Sequence, residues 1–362
     1  MISDSKKISL RQAILLFLTI TFTPAIRIIP VYGAEKAKQA AWLAPSVTVV
    51  MLFLLALIWQ TFCKKYKNYS LMDIYSDITG GFIGKMLAVV HLVWMTILIG
   101  IYIRYFGVRL TASVYPSISL EIFSICLLVV IAYTLRFGLT TLARLNEVFL
   151  PILSIVFYIL IALMLPNIKI GFLTPISHRS VLPVLSVSSG IIGILSYFTF
   201  VFIIGDRINN KENVKRAGIS AALFLFVAWT VIVAVTLGLF SYSVVQRVQL
   251  PFLAAVKQIS LFNTLERIES IVVSLWVISD FVLISFFTFC VLHILKYLFK
   301  LKATKPFINI YLVLTFVLSN YVAKSVFELE NLSRYILIPG NIILGFILPV
   351  VIFVIGKIRR KI

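Results

Sequence analysis

The chain has 362 residues, 61% hydrophobic and 13% charged, with a mean hydropathy of +1.08. Soluble domains carry about 25% charged residues. Half that charge cannot solvate a globular surface of this size, which excludes soluble enzymes, disordered chains and nucleic-acid-binding domains. The net charge of +20 therefore reads as the lysine and arginine excess of cytoplasmic loops and lipid-facing clusters, not as a nucleic-acid footprint.

A helix needs about 20 apolar residues to cross the hydrocarbon core of a bilayer. Ten stretches predict spans: Leu10–Tyr32, Ala41–Cys63, Phe82–Val108, Leu120–Leu135, Val148–Pro166, Leu185–Gly205, Gly218–Ser241, Ile268–His293, Pro306–Val322 and Tyr335–Gly356. The fourth and ninth are short. All are continuously apolar, without the alternation of barrel strands. The polar segment Met1 to Lys7 leads into the first span with no small-residue cleavage site, so that span is read as uncleaved. With the N-terminus inside, and with Arg11, Lys85 and Arg104 near span ends counted with their adjoining loops, the inner segments hold 21 Lys and Arg and the outer segments 11. Both termini are therefore expected in the cytoplasm, and Arg27 is the basic residue left over within a span.

Two loops predict helices of their own. Ser70 with Asp73 three residues on has the form of a capping box opening a short interfacial helix that stops at Gly80-Gly81. Pro251 to Phe262 carries Phe252, Val256 and Ile259 at helical spacing and is expected on the outer surface as a lid.

Ten spans divide into five plus five, residues 9–166 and 185–356, within one transmembrane domain. Transporters built of inverted repeats bind ligand where helices break in corresponding positions. Span 1 contains Thr21-Phe22-Thr23-Pro24-Ala25 followed by Arg27 and Pro30, and Pro24 both removes a donor and disfavours helix at Thr23. Span 6 contains Ser186, Ser188, Ser189, Gly190, Gly193 and Ser196, the densest small and polar cluster in any span. Both spans are expected to be interrupted, although small residues also serve helix packing.

A charge at mid-bilayer costs about 2.5–3.5 kcal/mol on insertion scales and calls for a partner or a wet cavity. Arg27 and Asp280, in span 8, are opposite in sign and are expected to face one cavity, as a pair or as two binding poles. Tyr102 and Arg104 lie near the outer end of span 3, in position to snorkel or to contribute to a gate. His91 reads as a helix-to-helix hydrogen-bonding residue, and Glu147 as a carboxylate near a helix N-terminus. Cys63, Cys126 and Cys290 form no ligand spacing and read as packing residues. His91, His178 and His293 form no paired motif, so no metal and no cofactor is expected. No GxSxG, HExxH or paired carboxylates occupy the spans, and no catalytic residue is assigned.

The opening Lys7-Ile8-Ser9-Leu10-Arg11-Gln12, the Ser70-Leu71-x-Asp73 loop with Gly80 and Gly84, and Ala143-Arg144-Leu145-Asn146-Glu147 with Pro151 together resemble the spore germination permease family. So does Leu265-Glu266-Arg267-Ile268-Glu269-Ser270 with Trp276, which is similar to the family's E-R-x-E…W signature opening span 8. The resemblance runs the whole length. It implies the B subunit of an endospore nutrient germinant receptor, within the amino acid–polyamine–organocation transporter superfamily, with an all-helical leucine-transporter-type fold. It further implies an inner-spore-membrane protein that senses a small-molecule germinant, typically an amino acid, alongside A- and C-type subunits and membrane lipid. Ligand would lie at the breaks of helices 1 and 6, beside helices 3 and 8. The candidate substrate-binding set is Thr21, Phe22, Thr23, Pro24, Ala25, Arg27, Tyr102, Ser189, Gly190, Gly193, Ser196, Tyr197 and Asp280. Two departures from the family pattern reshape that cavity: Thr23-Pro24-Ala25-Ile26-Arg27 replaces a glycine-rich break, and Tyr197 and Thr199 stand where a glycine and an acid are common. An amino acid or cation symporter of the same fold and a ligand-free scaffold subunit are the competing readings.

Overall fold

The computed structural model describes residues 7–113, 116–259 and 269–362. The signature residues Leu265 to Ile268, the end of the expected lid helix and the start of the eighth span lie outside the described residues. Among the described residues, eight helices are long and apolar enough to cross a membrane. Two shorter ones, Leu120–Arg136 and Phe307–Val322, fill the fourth and ninth places. The chain is an integral membrane protein.

In chain order, a two-residue strand β1 (Ile8–Ser9) leads into α1 (Leu10–Ala37). Ser9 caps α1 and exchanges hydrogen bonds with Gln12, so the turn closes on itself. Helix α2 (Ser46–Lys65) and the short α3 (Leu71–Thr79) follow. Ser70 and Asp73 form the expected capping box, and α3 ends at Gly80, whose φ of 101° only glycine tolerates freely. Next come α4 (Gly81–Ser113), α5 (Leu120–Arg136) and α6 (Leu139–Met164). The sixth span is split into α7 (Val181–Leu195) and α8 (Tyr197–Val201), running on through a tight turn to β2 (Ile208–Asn209). Helices α9 (Val214–Phe240), α10 (Tyr242–Val245), α11 (Pro251–Val256), α12 (Glu269–Phe299) and α13 (Phe307–Val322) complete spans seven to nine with their loops. The tenth span is α14 (Val326–Leu332), α15 (Ile338–Ile342) and α16 (Leu348–Ile358), joined by π-helical turns at Ser333–Leu337 and Ile343–Ile347.

The centre of the bundle is α1, α7–α8 and α12. Helix α1 packs on α6, α7, α9 and α12, while α4 packs on α5, α12 and α13. The outer helices turn apolar side chains such as Val129, Ile155, Ile310 and Val313 outward, where lipid replaces water as solvent. Lipid gives no hydrophobic drive between helices, so close approach depends on small residues. Gly193 fits against Ile338 of α15, where a Cβ would lie 3.2 Å from its side chain, and a Cβ at Gly345 would collide with Ser196.

Several expectations shift. Helix α1 is continuous: Pro24 and Pro30 remove two donors without ending it. The helices packed on α1 hold its backbone in place around the two missing bonds. The interruption of span 6 is real but compact, a single turn at Ser196 followed by a non-helical Ile204. Helix α11 is not a surface lid, because Pro251, Phe252, Leu253, Ala255 and Val256 are buried against the surrounding helices. Pro251 starts that turn and the apolar side chains then have only the bundle to face.

On one face of the bundle, β1 pairs in parallel with β2, Ile8 opposite Ile208. On the same face the Tyr66 hydroxyl donates to Asp77 at 2.8 Å, Lys361 pairs with Asp77 at 3.1 Å, and Arg359 donates to the Ile78 carbonyl. The Tyr66 hydrogen bond, followed by Lys361, holds the Asp77 carboxyl below its ordinary range. A carboxylate depressed in the folded state stabilises above its unfolded pKa and loses that contribution as pH falls through the folded value. Limited proteolysis of the C-terminal tail is expected to accelerate as pH drops from neutral to below the carboxylate range, and Asp77→Asn is expected to show the fast rate already at neutral pH.

Candidate functional site

Thr23 and Arg27 lie one turn apart on α1, Tyr102, Tyr105 and Arg109 on successive turns of α4, and Trp276 and Asp280 one turn apart on α12. The packing of α1 and α4 on α12 brings these three stripes together inside the bundle.

Asp280 is fully buried, and its partner is Arg109, not Arg27. The guanidinium of Arg109 also lies 5.2 Å from the centre of the Trp276 ring. The span count ended at Val108 and placed Arg109 in an outer loop, but α4 continues to Ser113 and carries Arg109 inward. Arg27 instead stacks on the face of Tyr105, 3.5 Å from the ring centre. Three buried polar atoms at this junction have no hydrogen-bond partner among the described residues: the Thr23 hydroxyl, one terminal nitrogen of Arg27 and Oδ1 of Asp280.

Beneath Arg27 runs a polar chain across three spans. Tyr102 and Tyr197 share a hydroxyl-to-hydroxyl hydrogen bond, the Asn341 side chain donates to Tyr197 at 3.4 Å, and Trp94 donates to Asn341 at 3.0 Å. Tyr197 sits at the break of span 6 with its ring edge-on to Phe287, 5.1 Å away. The break is thus filled by aromatic side chains. Above Arg27 the structure opens into a cavity of about 380 Å³ between α1, the segment after α10 and the start of span 10. Its wall includes Arg27, Tyr32, Glu35, Glu330 and Arg334. Arg334 grips Glu35 with two hydrogen bonds of 2.8 and 2.7 Å.

The other candidates fall into three groups. Thr23 lines a small pocket with Arg27, Arg109, Phe252 and Trp276. Ser189 bonds the Tyr32 hydroxyl at 3.3 Å, and Gly190 lets the Tyr32 ring approach, a Cβ there lying 3.2 Å from it. Thr21, Pro24, Ala25, Gly193 and Ser196 are buried in helix packing, and Phe22 packs edge-on against Phe157. Arg104 faces Glu121 at 3.7 Å. His91 is buried between Tyr75 and Phe200 with Nδ1 2.8 Å from the Leu87 carbonyl, and Glu147 accepts a hydrogen bond from Gln12. No group of His, Cys, Asp and Glu among the described residues has the geometry to hold a metal ion.

Residues 7–328 match the sequence profile of a family described as spore germination protein, the spore permeases. The chain belongs to this family. Over 306 residues this spore permease is 22% identical to spore germination protein KB of Bacillus subtilis (strain 168), covering 83% of the chain and 80% of that protein. Its structure is similar to MhsT in complex with L-phenylalanine, with a TM-score of 0.66 at 12% identity over 97% of the chain and 99% of that structure. It is also similar to a Na+-coupled sialic acid symporter, with a TM-score of 0.63 at 10% identity over 94% and 80%. Mhp1, a nucleobase-cation-symport-1 transporter, gives 0.61 at 12% identity over 94% and 77%. These likenesses establish the leucine-transporter-type fold expected from the sequence, and the family and fold are those of permeases.

The buried Arg109–Asp280 pair has a clear energetic signature. Removing one member of such a pair leaves an uncompensated charge and costs about 3–5 kcal/mol, while replacing both with apolar residues is close to neutral. Arg109→Leu and Asp280→Leu alone are each expected to lower the melting temperature of the solubilised protein sharply. The double variant is expected to recover most of the loss.

Proposed function

We propose that this spore permease is a germinant-receptor subunit that binds a small carboxylate-bearing nutrient, an amino acid being the best fit, and triggers germination. The observation that carries the reading is Arg27, which lines a cavity of about 380 Å³ and has one buried terminal nitrogen without a hydrogen-bond partner among the described residues. That volume lies within the range of small-molecule pockets. Stacking on Tyr105 occupies the face of the guanidinium and leaves its N–H edge for a planar carboxylate. Two proteins of similar structure, MhsT in complex with L-phenylalanine and a substrate-bound sialic acid symporter, handle carboxylate-bearing molecules, which supports this class.

In this reading Arg27 and Thr23 receive the carboxylate, Tyr102 and Tyr197 close the inner side, and the Arg109–Asp280 pair keeps the polar junction assembled. The remaining candidates on α1 and α7 set how closely the two helices approach. Ligand that favours one arrangement of the bundle shifts its population, and the A- and C-type subunits read that shift. In the same reading both termini are cytoplasmic, which the excess of Lys and Arg in the inner segments supports, and residues 9–166 and 185–356 are the two inverted repeats.

The test is germination of spores carrying Arg27 variants against a panel of nutrients. A charge-assisted hydrogen bond contributes about 1.5–3 kcal/mol, so Arg27→Met is expected to raise the half-maximal nutrient concentration by about 10–100-fold. Arg27→Lys is expected to recover part of the loss. An unchanged dose response, with the protein at normal abundance in the spore membrane, overturns the reading. Substrate accumulation in proteoliposomes by the chain alone points instead to the symporter.

A further inference from the structure

We infer that the cavity above Arg27 recognises a zwitterion by two opposite poles, with Glu330 of α14 as the receptor for the ligand's ammonium group. This rests on the carboxylate reading of Arg27 and adds a site residue that neither the sequence analysis nor the family likeness supplies.

The charges lining the cavity divide unequally. Of the charges on its wall, Glu35 is occupied by Arg334 through two hydrogen bonds; Asp280, which is not part of the wall, is occupied by Arg109. That leaves Arg27 and Arg247 without a carboxylate and Glu330 without a cation among the described residues. Arg27 and Glu330 line the main cavity, and both line its small inward extension beside Tyr105 and Arg109. Arg247, exposed at the same wall, adds positive potential at the mouth.

Tyr105 places the two poles relative to each other. Its ring carries the Arg27 guanidinium, while its hydroxyl donates to the Leu329 carbonyl at 2.9 Å and lies 2.8 Å from the Ser333 hydroxyl. Leu329 and Ser333 flank Glu330 on the same helical turn, at the start of the π-helical segment Ser333–Leu337. One buried side chain therefore anchors the cation from α1 and the backbone that presents the anion from α14. The ligand class that matches is a compact molecule with carboxylate and ammonium on neighbouring atoms, its side chain directed to the apolar wall at Ile28, Val31, Phe327 and Ile338. A ligand without the ammonium leaves Glu330 facing a second anion, so discrimination arises from repulsion as well as attraction.

The experiment follows thermal melting of the full chain in native spore membranes, detected by immunoblot. The probes are L-amino acids, each beside the carboxylate lacking its amino group, such as propionate beside L-alanine and 3-phenylpropionate beside L-phenylalanine. The wild-type chain is expected to prefer the best-binding amino acid over its amine-free counterpart by at least about tenfold. Glu330→Gln is expected to weaken the amino acid and abolish that preference while retaining carboxylate binding, and Glu330→Asp is expected to restore part of it. Arg27→Met is expected to lose both ligands. If the preference survives in Glu330→Gln while Arg27→Met still loses both, the ammonium pole is overturned and the carboxylate reading stands. If no carboxylate probe stabilises the wild-type chain, both fall.

Discussion

The centre of this molecule depends on the ion pair between Arg109 and Asp280. In a bilayer neither charge is tolerable alone, so the pair dictates that α4 and α12 meet at this depth and in this rotation. It also decides what is left over. With Asp280 satisfied by Arg109, Arg27 has no acidic partner among the described residues and takes the face of Tyr105 instead. A guanidinium stacked on an aromatic ring keeps its hydrogen-bonding edge, which is the part that recognises a carboxylate. The proposed site is therefore a consequence of uneven charge pairing: of Arg27, Arg109 and Asp280, Arg27 is the one left without an ionic partner among the described residues.

The same logic explains why the cavity lies above the helix break and not within it. Tyr197 occupies the turn at Ser196 and is tied to Tyr102 and Asn341. Phe287 closes the space beside it. The glycines of span 6 allow neighbours close: Gly190 accommodates Tyr32 and Gly193 accommodates Ile338. Small residues that suggest a ligand-binding break here bring α1 and span 10 near enough to build the cavity wall. Cavity wall and helix packing are thus parts of one arrangement, since Tyr32 and Ile338 line the cavity and also meet Gly190 and Gly193.

Much of the architecture was legible in the sequence. Ten apolar runs predict ten spans because hydrocarbon thickness sets a minimum length that composition alone reveals; among the described residues eight helices are long and apolar enough to cross and two shorter ones fill the remaining places. The capping box at Ser70 and the stop at Gly80 were readable because both act within one helical turn. Arg27 stood out because a cation within an apolar run has no cheap explanation. Arg109 was missed for the converse reason: ending the span at Val108, where the helix runs on to Ser113, moved it from bilayer to loop, and nothing local marks its partner 171 residues away. The expected break of span 1 failed likewise, because Pro24 weakens the helix locally while packing on every side preserves it.

The sequence by itself determined that this is a helical membrane protein, where most of its spans lie, and which residues of the first and eighth spans carry buried charge. These are local or additive properties, set by transfer of side chains and backbone out of water. Only the tertiary structure decided that Asp280 belongs to Arg109, that Arg27 rests on Tyr105 with an unpaired edge, and that Glu330 shares its cavity. Charge pairing is a choice among partners distant in the chain, and it is made by which helix faces the packed bundle brings within hydrogen-bonding reach.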